Sequence, residues 1–395
     1  MGGFSDFNGL SEIISGYAKK NPVRFHMPGH KGRPEYALDY ALDVTELFFT
    51  DNLYDPSPEV NLINSLEDRI ARCFFGAKSA GVRSFISCSG ATLCIQGATL
   101  ALIELHRRRF NIHSTDLYMI CDRASHVSLV NAMYLLGVKP LWVYPGENFP
   151  EKIDYFAQAR KNNNIGVFVT SPDYYGAIKD IKEIAKTCKK NSLPLAVDNS
   201  HGSHLAFYKN GAMHPINLGA DISVDSIHKT LPALTGAAVL HADKKNIGGV
   251  RQYINTFAST SPSYLILQSI EKTVDLLEGR GIDEHARLLG DINLFKNQAG
   301  ALGFGFDADI NKLYDPYRIV LSCENSGEKL YYHLAGQNIF CEFFTKDRVV
   351  AIPSISNCAE DFHRLYDGLK LFAQNNKIKP ATSREPGYPP GVPGE

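Results

Sequence analysis

Between residues 84 and 241 the chain alternates short apolar runs, typical of buried strands, with stretches long enough for helices. The strand-like runs lie at 84–87, 117–121, 140–143, 166–170, 193–197, 222–226 and 237–241. The helical stretches include 91–110, 127–136, 152–162 and 178–191. This alternation favours a mostly parallel α/β sheet covered by helices on both faces. Ligands of such sheets bind beyond the carboxyl ends of the strands, so the chemistry is expected there.

The pattern changes after the long helical stretch at 265–289. The elements expected next are a helix at 284–301, a strand at 317–322, a helix at 326–336, strands near 339–343 and 347–352, and a helix at 359–374. They predict a second, smaller α+β domain. The predicted organisation is an amino-terminal segment (1–24) with a short amphipathic helix at 10–19, a large domain (25–283), a small domain (284–375) and a Pro/Gly-rich tail (376–395).

The charge and cysteine content narrow the class of protein. With 41 basic and 42 acidic side chains the net charge is −1, which gives no reason to expect a nucleic-acid or membrane-surface partner. No apolar run is long enough for a transmembrane helix, and the first eight residues do not resemble a signal peptide. Eight scattered cysteines without a CxxC pair indicate reduced, mostly buried thiols in a cytoplasmic protein, and no metal site is expected.

A lysine follows the strand expected at 222–226. Lys229 stands just beyond its carboxyl end, in the run SVDSIHKT. Burial disfavours the ammonium form, so the pKa of such a lysine falls and a neutral amine becomes available. A Schiff-base lysine needs this property. The alternative is a lysine whose head group extends into solvent, which is common at strand ends.

A carboxylate follows the strand expected at 193–197. Asp198 ends this run, and a buried carboxylate needs a positive partner. The protonated pyridine nitrogen of a bound cofactor would serve, because the aspartate would keep the ring protonated as an electron sink. The alternative is a surface aspartate that caps the next turn.

Two further strand ends carry features of a cofactor site. Ser89, Gly90, Ala91 and Thr92 form a small-residue turn that opens a long helix, where backbone N–H groups and the helix dipole can bind phosphate. His126 follows the strand expected at 117–121 and could stack on a flat aromatic ring, or simply bond to the backbone of its loop. Each feature is weak alone, but the ordered set of phosphate turn, histidine, carboxylate and lysine is far less common by chance.

Seven motifs in order resemble the ornithine/lysine/arginine decarboxylase family, over about residues 20–375. They are FHMPGHKG (25–32), DVTE (43–46), TDNL (50–53), SPDYYG (171–176), VDNSHG (197–202), SIHKTL (226–231) and TSPSY (260–264). The resemblance implies the aspartate-aminotransferase fold (fold type I), pyridoxal-5′-phosphate (PLP) as cofactor, and decarboxylation of arginine, lysine or ornithine to the corresponding amine.

The resemblance also implies roles for matching residues. Lys229 would bind PLP covalently, Asp198 would pair with the pyridine nitrogen, His126 would stack on the ring, and His201 would lie beside the cofactor. The phosphate or its surroundings would be held by Ser89, Gly90, Ala91, Thr92, Ser226 and His228. Thr260 and Ser261 match a segment that reaches the phosphate of a neighbouring subunit. A homodimer or higher oligomer, with active sites at the interface, is therefore implied.

The sequence departs from the family's usual pattern in the motif beside the cofactor and in its length. The usual Asp-Glu-Ala-His of the family is Asp-Asn-Ser-His at 198–201, so an acidic residue is lost beside the cofactor. The chain is also expected to be a short member that lacks most of the family's carboxyl-terminal domain, of which 387–395 resembles one motif. A carboxylate must meet the distal cation of a basic substrate. Glu342 and Glu395 are the candidates; solvated surface is the favoured interpretation for Glu342, while Glu395 is undecided.

The sequence leaves three alternative functions open. Another PLP reaction on an amino acid, of the lyase, transaminase or racemase type, would use the same scaffold. A metal hydrolase could use His201 and His204 with His126 or His228, although no HExxH motif is present. A PLP-binding protein without turnover is the third.

Overall fold

The computed structural model of this chain describes residues 19–31, 33, 62–110, 116–160, 163–260, 262–306 and 313–378. Some expectations concern residues outside these ranges. They are nearly all of the helix at 10–19, the motifs at 43–46 and 50–53, Ser261, Glu395, the motif at 387–395 and the tail beyond residue 378.

The described residues form fifteen strands and ten α-helices. The strands are β1 (Val23–Phe25), β2 (Val82–Ser87), β3 (Leu117–Asp122), β4 (Val138–Val143), β5 (Asn164–Thr170), β6 (Ala177–Ile178), β7 (Leu195–Asp198), β8 (Ile222–Asp225), β9 (Ala238–Asp243), β10 (Gly305–Phe306), β11 (Leu313–Tyr314), β12 (Ile319–Ser322), β13 (Ile339–Cys341), β14 (Phe343–Phe344) and β15 (Arg348–Ala351). The helices are α1 (Leu62–Phe75), α2 (Gly90–Phe110), α3 (Val127–Leu136), α4 (Phe149–Ala159), α5 (Ile181–Lys190), α6 (Ile227–Thr230), α7 (Val250–Asn255), α8 (Tyr264–Ala301), α9 (Gly327–Gly336) and α10 (Ala359–Asn375).

Seven strands form the large sheet, in the order β2-β9-β8-β7-β5-β3-β4. All seven strand-like runs of the sequence are strands of this sheet, and most neighbours pair in parallel. Only β9 runs antiparallel to its two neighbours, β2 and β8. The expectation of a mostly parallel sheet is therefore confirmed. The carboxyl ends of the parallel strands share one edge, which positions the residues that follow them close together.

Helices cover both faces of the large sheet because successive side chains of each strand point to opposite sides. On one face Phe168 and Ala196 pack with residues of α2 and α7. On the other face Val167 and Val197 pack with residues of α4 and α5. Strands buried on both faces are apolar at nearly every position, which explains why the runs were visible in the sequence.

A second, antiparallel sheet of four strands follows in the order β10-β12-β15-β14, with α9 and α10 packed in the same core. Two short strand pairs tie this part to the rest of the chain: β1 with β13, and β6 with β11. The helices expected at 265–289 and 284–301 are one continuous helix of 38 residues, α8. The domain boundary predicted after residue 283 falls within α8, so the division into domains stays a prediction.

All eight cysteines are free, and only Cys358 is exposed. Among the helices that the structure describes, none has both the length and the apolar character required to cross a membrane.

The turn between β5 and β6 is closed by Asp173 and requires a glycine. The Asp173 carboxylate accepts hydrogen bonds from the Tyr175 and Ala177 amides at 2.9 and 2.8 Å. Gly176 has φ +89°, and a Cβ there would lie 2.7 Å from Cβ of Arg318. A side chain at this position would therefore be strained and would push Arg318 away from the turn.

We expect Gly176→Ala to destabilise the fold by about 2–4 kcal/mol, because the left-handed backbone and the contact with Arg318 both oppose a methyl group. Gly290→Ala is the matched control: Gly290 lies in the middle of α8, and a Cβ there meets nothing within 4 Å. It should stabilise the helix by about 0.5–1 kcal/mol. Urea denaturation measures both free energies of unfolding. If both variants changed the free energy of unfolding by the same amount and in the same direction, the prediction would be wrong.

Candidate active site

A cavity of about 340 Å³ opens at the carboxyl ends of the large sheet. Its lining combines strand ends, the turns that follow them and the first residues of three helices. The lining residues are Ser89, Gly90, Ala91, Thr92, Ile95, Asp122, Ala124, His126, Ser128, Thr170, Pro172, Asp173, Tyr174, Lys179, Asp198, Ser200, His201, Ser226, His228, Lys229, Thr235 and Gly236. Ten of the twelve residues singled out from the sequence are thus brought to one cavity.

Lys229 enters the cavity from α6, the short helix after β8. Its Nζ lies 3.1 Å from Nε2 of His201. Burial lowers the pKa of Lys229 below its ordinary value, against the opposing charges of Asp198 and Glu342, and the nearby cation of Arg318 adds to the lowering. Burial also lowers the pKa of His201 well below its usual value, so this imidazole carries no charge that would oppose Lys229. A neutral amine is the form that attacks carbonyl groups.

Asp198 ends β7 and is buried at the floor of the cavity. Two groups of Ser200 hydrogen-bond to the carboxylate, the amide at 3.0 Å and the hydroxyl. Both bonds fall on Oδ1, so Oδ2 takes part in neither. The carboxylate is oriented by its own turn and keeps an oxygen with which to meet a ligand.

The small-residue turn between β2 and α2 also lines the cavity. Gly90 adopts φ +74°, its amide donates to the Gly236 carbonyl at 2.8 Å, and the Ser89 amide donates to the Ser87 hydroxyl at 3.1 Å. These two amides are therefore engaged within the protein. The amides of Ala91 and Thr92 lie in the first turn of α2, where no intrahelical acceptor exists. They remain the natural donors to an anion.

His126, which precedes α3, and His228, which lies in α6, both border the cavity. His126 caps α3, and its Nδ1 accepts from the Ser128 amide at 3.2 Å, which orients the ring. His228 donates from Nδ1 to the Ala237 carbonyl at 2.8 Å. Burial lowers the pKa of both imidazoles, so neither ring carries a full positive charge near neutral pH.

Thr260 is exposed and does not line this cavity, and Ser261 lies outside the described residues. Their neighbours Ser259, Pro262 and Ser263 line a second cavity of about 250 Å³, which shares Ser89 with the first. The segment at 259–263 therefore lies close to the small-residue turn at Ser89 of its own chain.

Three side chains at or near the cavity were given no role from the sequence. Lys179 forms an ion pair with Asp122 at 2.8 Å, and both line the cavity. Arg318 is buried, and no nitrogen of its guanidinium has a hydrogen-bond partner in the part of the chain that the structure describes. Its nearest carboxylate is Asp315, at 3.5 Å. No local spacing signals these contacts, because the partners are distant in sequence.

Glu342 is not plain solvated surface, contrary to the interpretation favoured from the sequence. The side chain is partly buried, and Oε2 accepts from the Met27 amide at 2.9 Å. Glu342 does not line the cavity, but its charge acts to raise the pKa of both Lys229 and Tyr174, which do.

The loop at 26–31 connects the cavity to the second sheet. The Gly29 amide donates to the His228 carbonyl at 2.6 Å. Lys31 is buried, and its Nζ donates to the carbonyls of His26 and Ile352 at 2.6 and 2.8 Å. Burial lowers the pKa of Lys31 to about 7, from an ordinary value of 10.5.

This shift makes stability depend on pH. Between about pH 7 and 10.5 the unfolded chain binds a proton at Lys31 that the folded chain does not, so the free energy of unfolding should rise with pH. The slope is at most about 1.36 kcal/mol per pH unit. We expect Lys31→Met to remove roughly 2 kcal/mol of this rise between about pH 7.5 and pH 9.5, in urea titrations. Parallel curves for the two proteins would show that Lys31 does not titrate in this range.

Of the histidines of the metal-hydrolase alternative, His204 does not line the cavity. Its Nε2 lies 2.7 Å from the Asp315 carboxylate, and its ring stacks on Tyr317. The one group of three or more potential ligand atoms found in the described ranges contains none of His126, His201, His204 and His228.

Comparison with known proteins gives one family. The sequence model of the Orn/Lys/Arg decarboxylase major domain matches residues 9–299. The arginine decarboxylase of Bacillus anthracis is 27% identical over 341 residues, which cover 79% of this chain. The chain spans 65% of that relative, less than two thirds of its length.

Solved structures share the fold. The constitutive lysine decarboxylase of Escherichia coli has a TM-score of 0.63 at 19% identity, over 92% of this chain and 60% of that one. The sphingosine-1-phosphate lyase of Burkholderia pseudomallei has a TM-score of 0.67 at 15% identity, over 95% and 92%. The fold-type-I architecture expected from the sequence is thereby confirmed.

Proposed function

This chain belongs to the Orn/Lys/Arg decarboxylase family, and from that premise we propose that it is a PLP-dependent decarboxylase of a basic amino acid. The observation that carries the proposal is the meeting of Lys229, Asp198 and the α2 amino terminus in one cavity at the strand ends. The cavity presents a buried lysine amine with a lowered pKa, an oriented carboxylate and amide donors of a helix amino terminus. These are the groups that an aldehyde, a pyridine nitrogen and a phosphate require.

The residues present fit this cofactor. Three buried polar atoms of cavity-lining residues have no hydrogen-bond partner among the described residues: Ser226 Oγ, Thr170 Oγ1 and His201 Nδ1. Buried polar groups are normally satisfied, so these atoms indicate a polar ligand. Lys229 would hold the cofactor covalently and Asp198 would bind the ring nitrogen. The phosphate would be bound by Ala91, Thr92, Ser226 and the residues around His228.

When bound, PLP supplies an electron sink for the electron pair left by departing CO₂. Three residues of the chain would assist this chemistry: Asp198, His126 and Lys229. Asp198 would hold a proton on the ring nitrogen of the bound cofactor, because its carboxylate is buried there. His126 would cover one face of the ring and exclude water from it. The free amine of Lys229, with Nε2 of His201 3.1 Å away, is placed to accept and return a proton near the reacting carbon.

We propose Glu342 as the carboxylate that binds the distal cation of the substrate. The partly buried side chain is fixed by the Met27 amide, and its charge acts on Lys229 and Tyr174, which border the cavity. A carboxylate that is held in place by a backbone donor loses less side-chain entropy when it binds a cation.

Glu342→Gln tests this role, because glutamine keeps an oxygen that can accept from Met27. We expect KM for the basic substrate to rise about 10-fold, roughly 1.4 kcal/mol, with kcat changed less, since uniform binding is lost. Steady-state kinetics on the basic substrate and on a neutral amino acid of similar length measure the difference. A fall in kcat alone would place Glu342 in the chemistry instead.

We further propose a cytoplasmic homodimer. Thr260 is exposed on its own chain and would reach the cofactor phosphate of the partner. Eight free thiols favour a reducing compartment. Sedimentation at several protein concentrations tests the assembly, and a concentration-independent monomer with full activity would contradict it.

The decisive experiment is CO₂ release by PLP-loaded protein from arginine, lysine, ornithine and a wider panel of amino acids. Release from one basic amino acid, with the matching amine as product, would establish reaction and substrate together. Cofactor binding without CO₂ from any amino acid would overturn the decarboxylase proposal, and product analysis would then distinguish another PLP reaction from a protein without turnover.

A further inference from the structure

A second cluster of ionisable side chains lies on the large sheet, outside the lining of the cavity of Lys229. Asp225 ends β8, His241 lies on the adjacent strand β9, and His214 precedes a short turn at 215–218. All three are 0% exposed. The cross-strand neighbours of His241 are Ser84 of β2 and Ser223 of β8. None of the three histidine and aspartate side chains lines the cavity described above.

The surroundings of the cluster are apolar. The ring of Phe75 packs against His214 and His241 with centroids 5.1 and 4.9 Å apart, and Phe74 packs against His241 at 5.1 Å. A carboxylate is expensive to bury among such rings unless a cation lies beside it. A metal ion shared with His214, whose Nε2 hydrogen-bonds to Oδ2, would supply a permanent positive charge beside Asp225.

The ligand atoms are close enough to share one ion. His214 Nε2 lies 3.1 Å from Asp225 Oδ2, and one atom from each of the three residues lies within 4.8 Å of the others. In a tetrahedral site with bonds of about 2.1 Å, neighbouring ligand atoms are roughly 3.4 Å apart. Closing such a site would require the most distant ligand atoms to approach from at most 4.8 Å to about 3.4 Å.

One nitrogen of the cluster is buried without a partner. His241 Nδ1 lies 2.8 Å from the Ser84 hydroxyl, whereas Nε2 is buried and has no hydrogen-bond partner among the described residues. If Nδ1 donates to Ser84, Nε2 keeps a lone pair that a metal cation would bind.

The carboxylate is oriented from outside the cluster. Ser223 donates to Asp225 Oδ1 at 2.7 Å, and Asn199 donates to Oδ2 at 3.0 Å. On His214, the Ile216 amide donates to Nδ1 at 3.4 Å, a long contact, and Nε2 donates to Asp225 Oδ2 at 3.1 Å. A bound metal ion would take the place of this Nε2 proton. Hydrogen bonds that hold ligands in place in this way are typical of metal sites.

We propose that His214, Asp225 and His241 bind a structural transition-metal ion of the zinc class, with a water molecule as the fourth ligand. Imidazole and carboxylate ligands suit zinc, and a site with no exposed ligand would take up its ion as the chain folds. The ion would neutralise Asp225 directly beneath Ser226, and it would tie β8, β9 and the loop at 214 together. The sequence predicted no metal site, because no short spacing links these three residues.

The test uses PLP-loaded protein made in cells supplied with zinc or cobalt and then washed with a chelator to strip surface ions. Elemental analysis should find about one metal ion per chain, and the cobalt protein should show the visible bands of a tetrahedral site. His241→Gln should lower the content to less than about a tenth of an ion per chain. His285→Gln is the matched control, since His285 is also buried with an unpartnered Nε2 but lies in α8.

Two results would overturn the proposal. One is wild-type protein that retains no metal above trace from either medium, which would leave an ion pair with a buried water in the cluster. The other is equal metal content in His241→Gln and His285→Gln. If His241→Gln does not fold, X-ray absorption of the wild-type cobalt protein decides: a first shell with two imidazoles supports the site, and a shell without imidazole contradicts it. None of these measurements depends on decarboxylation.

Discussion

Lys229→Ala is expected to abolish turnover, with a fall in kcat of at least ~10⁴-fold, about 5 kcal/mol of activation free energy. The variant loses the amine that lies 3.1 Å from His201 and, with it, the proposed covalent link to the cofactor. The yellow absorbance of the purified protein should disappear or become removable by dialysis. Both quantities can be measured on one preparation, by CO₂ release and by the visible spectrum before and after dialysis.

Lys179→Met is the matched control for this prediction. Lys179 lines the same cavity, but its ammonium is paired with Asp122. We expect it to keep the absorbance and to lower turnover by no more than about tenfold, in line with the modest contribution of a partly exposed ion pair. If Lys179→Met lost the absorbance while Lys229→Ala kept it, the assignment of the covalent lysine would be wrong.

Asp198→Ala is expected to retain part of its cofactor but to lose nearly all turnover, on the order of 10³-fold or about 4 kcal/mol. The carboxylate is buried and oriented by Ser200, so alanine removes the charge that would keep the ring nitrogen protonated. Retained cofactor follows because Lys229 and the phosphate donors are untouched. Cofactor content and kcat, measured together, separate loss of chemistry from loss of binding.

Two variants sharpen the interpretation of Asp198→Ala. Asp198→Glu restores a carboxylate at nearly the same place and should recover part of the lost rate. Asp122→Asn removes the other carboxylate of the cavity that ends a strand, and it should cost far less because Asp122 is already paired with Lys179. Full activity in Asp198→Ala would refute the electron-sink role.

Much of the large sheet was predictable because its strands are short apolar runs that end at polar turns. The run expected at 117–121 is the strand Leu117–Asp122, and the helix expected at 127–136 has those same bounds. The position of β9 between β2 and β8 was not predictable, because periodicity carries no information on strand order. The merging of two helical stretches into α8 depends on packing along its length, such as that of Leu277 and Leu288, which outweighs two central glycines.

The site was predictable as far as it consists of strand ends. Lys229, Asp198 and His126 follow three different parallel strands, and parallel strands align their carboxyl ends. Arg318 and Glu342 belong to the second sheet region, and their charges act on Lys229 only because the chain folds back on itself. The proposed metal cluster depends on register: the antiparallel pairing of β9 with β8 places His241 opposite Ser223, two residues from Asp225, which no local pattern reveals.

The late position of β9 in the chain has a consequence for biosynthesis. Until β9 is inserted, a growing chain presents two open sheet edges, on β2 and β8, with unpaired backbone groups that can recruit other chains. The Gly90 and Gly236 backbones that frame the phosphate turn also meet only then, although about 150 residues separate them. Contacts of such long range form slowly. We therefore expect the cofactor site to be among the last parts to assemble on the ribosome, and rapid overproduction to yield aggregated chains that never acquired their vitamin-derived group.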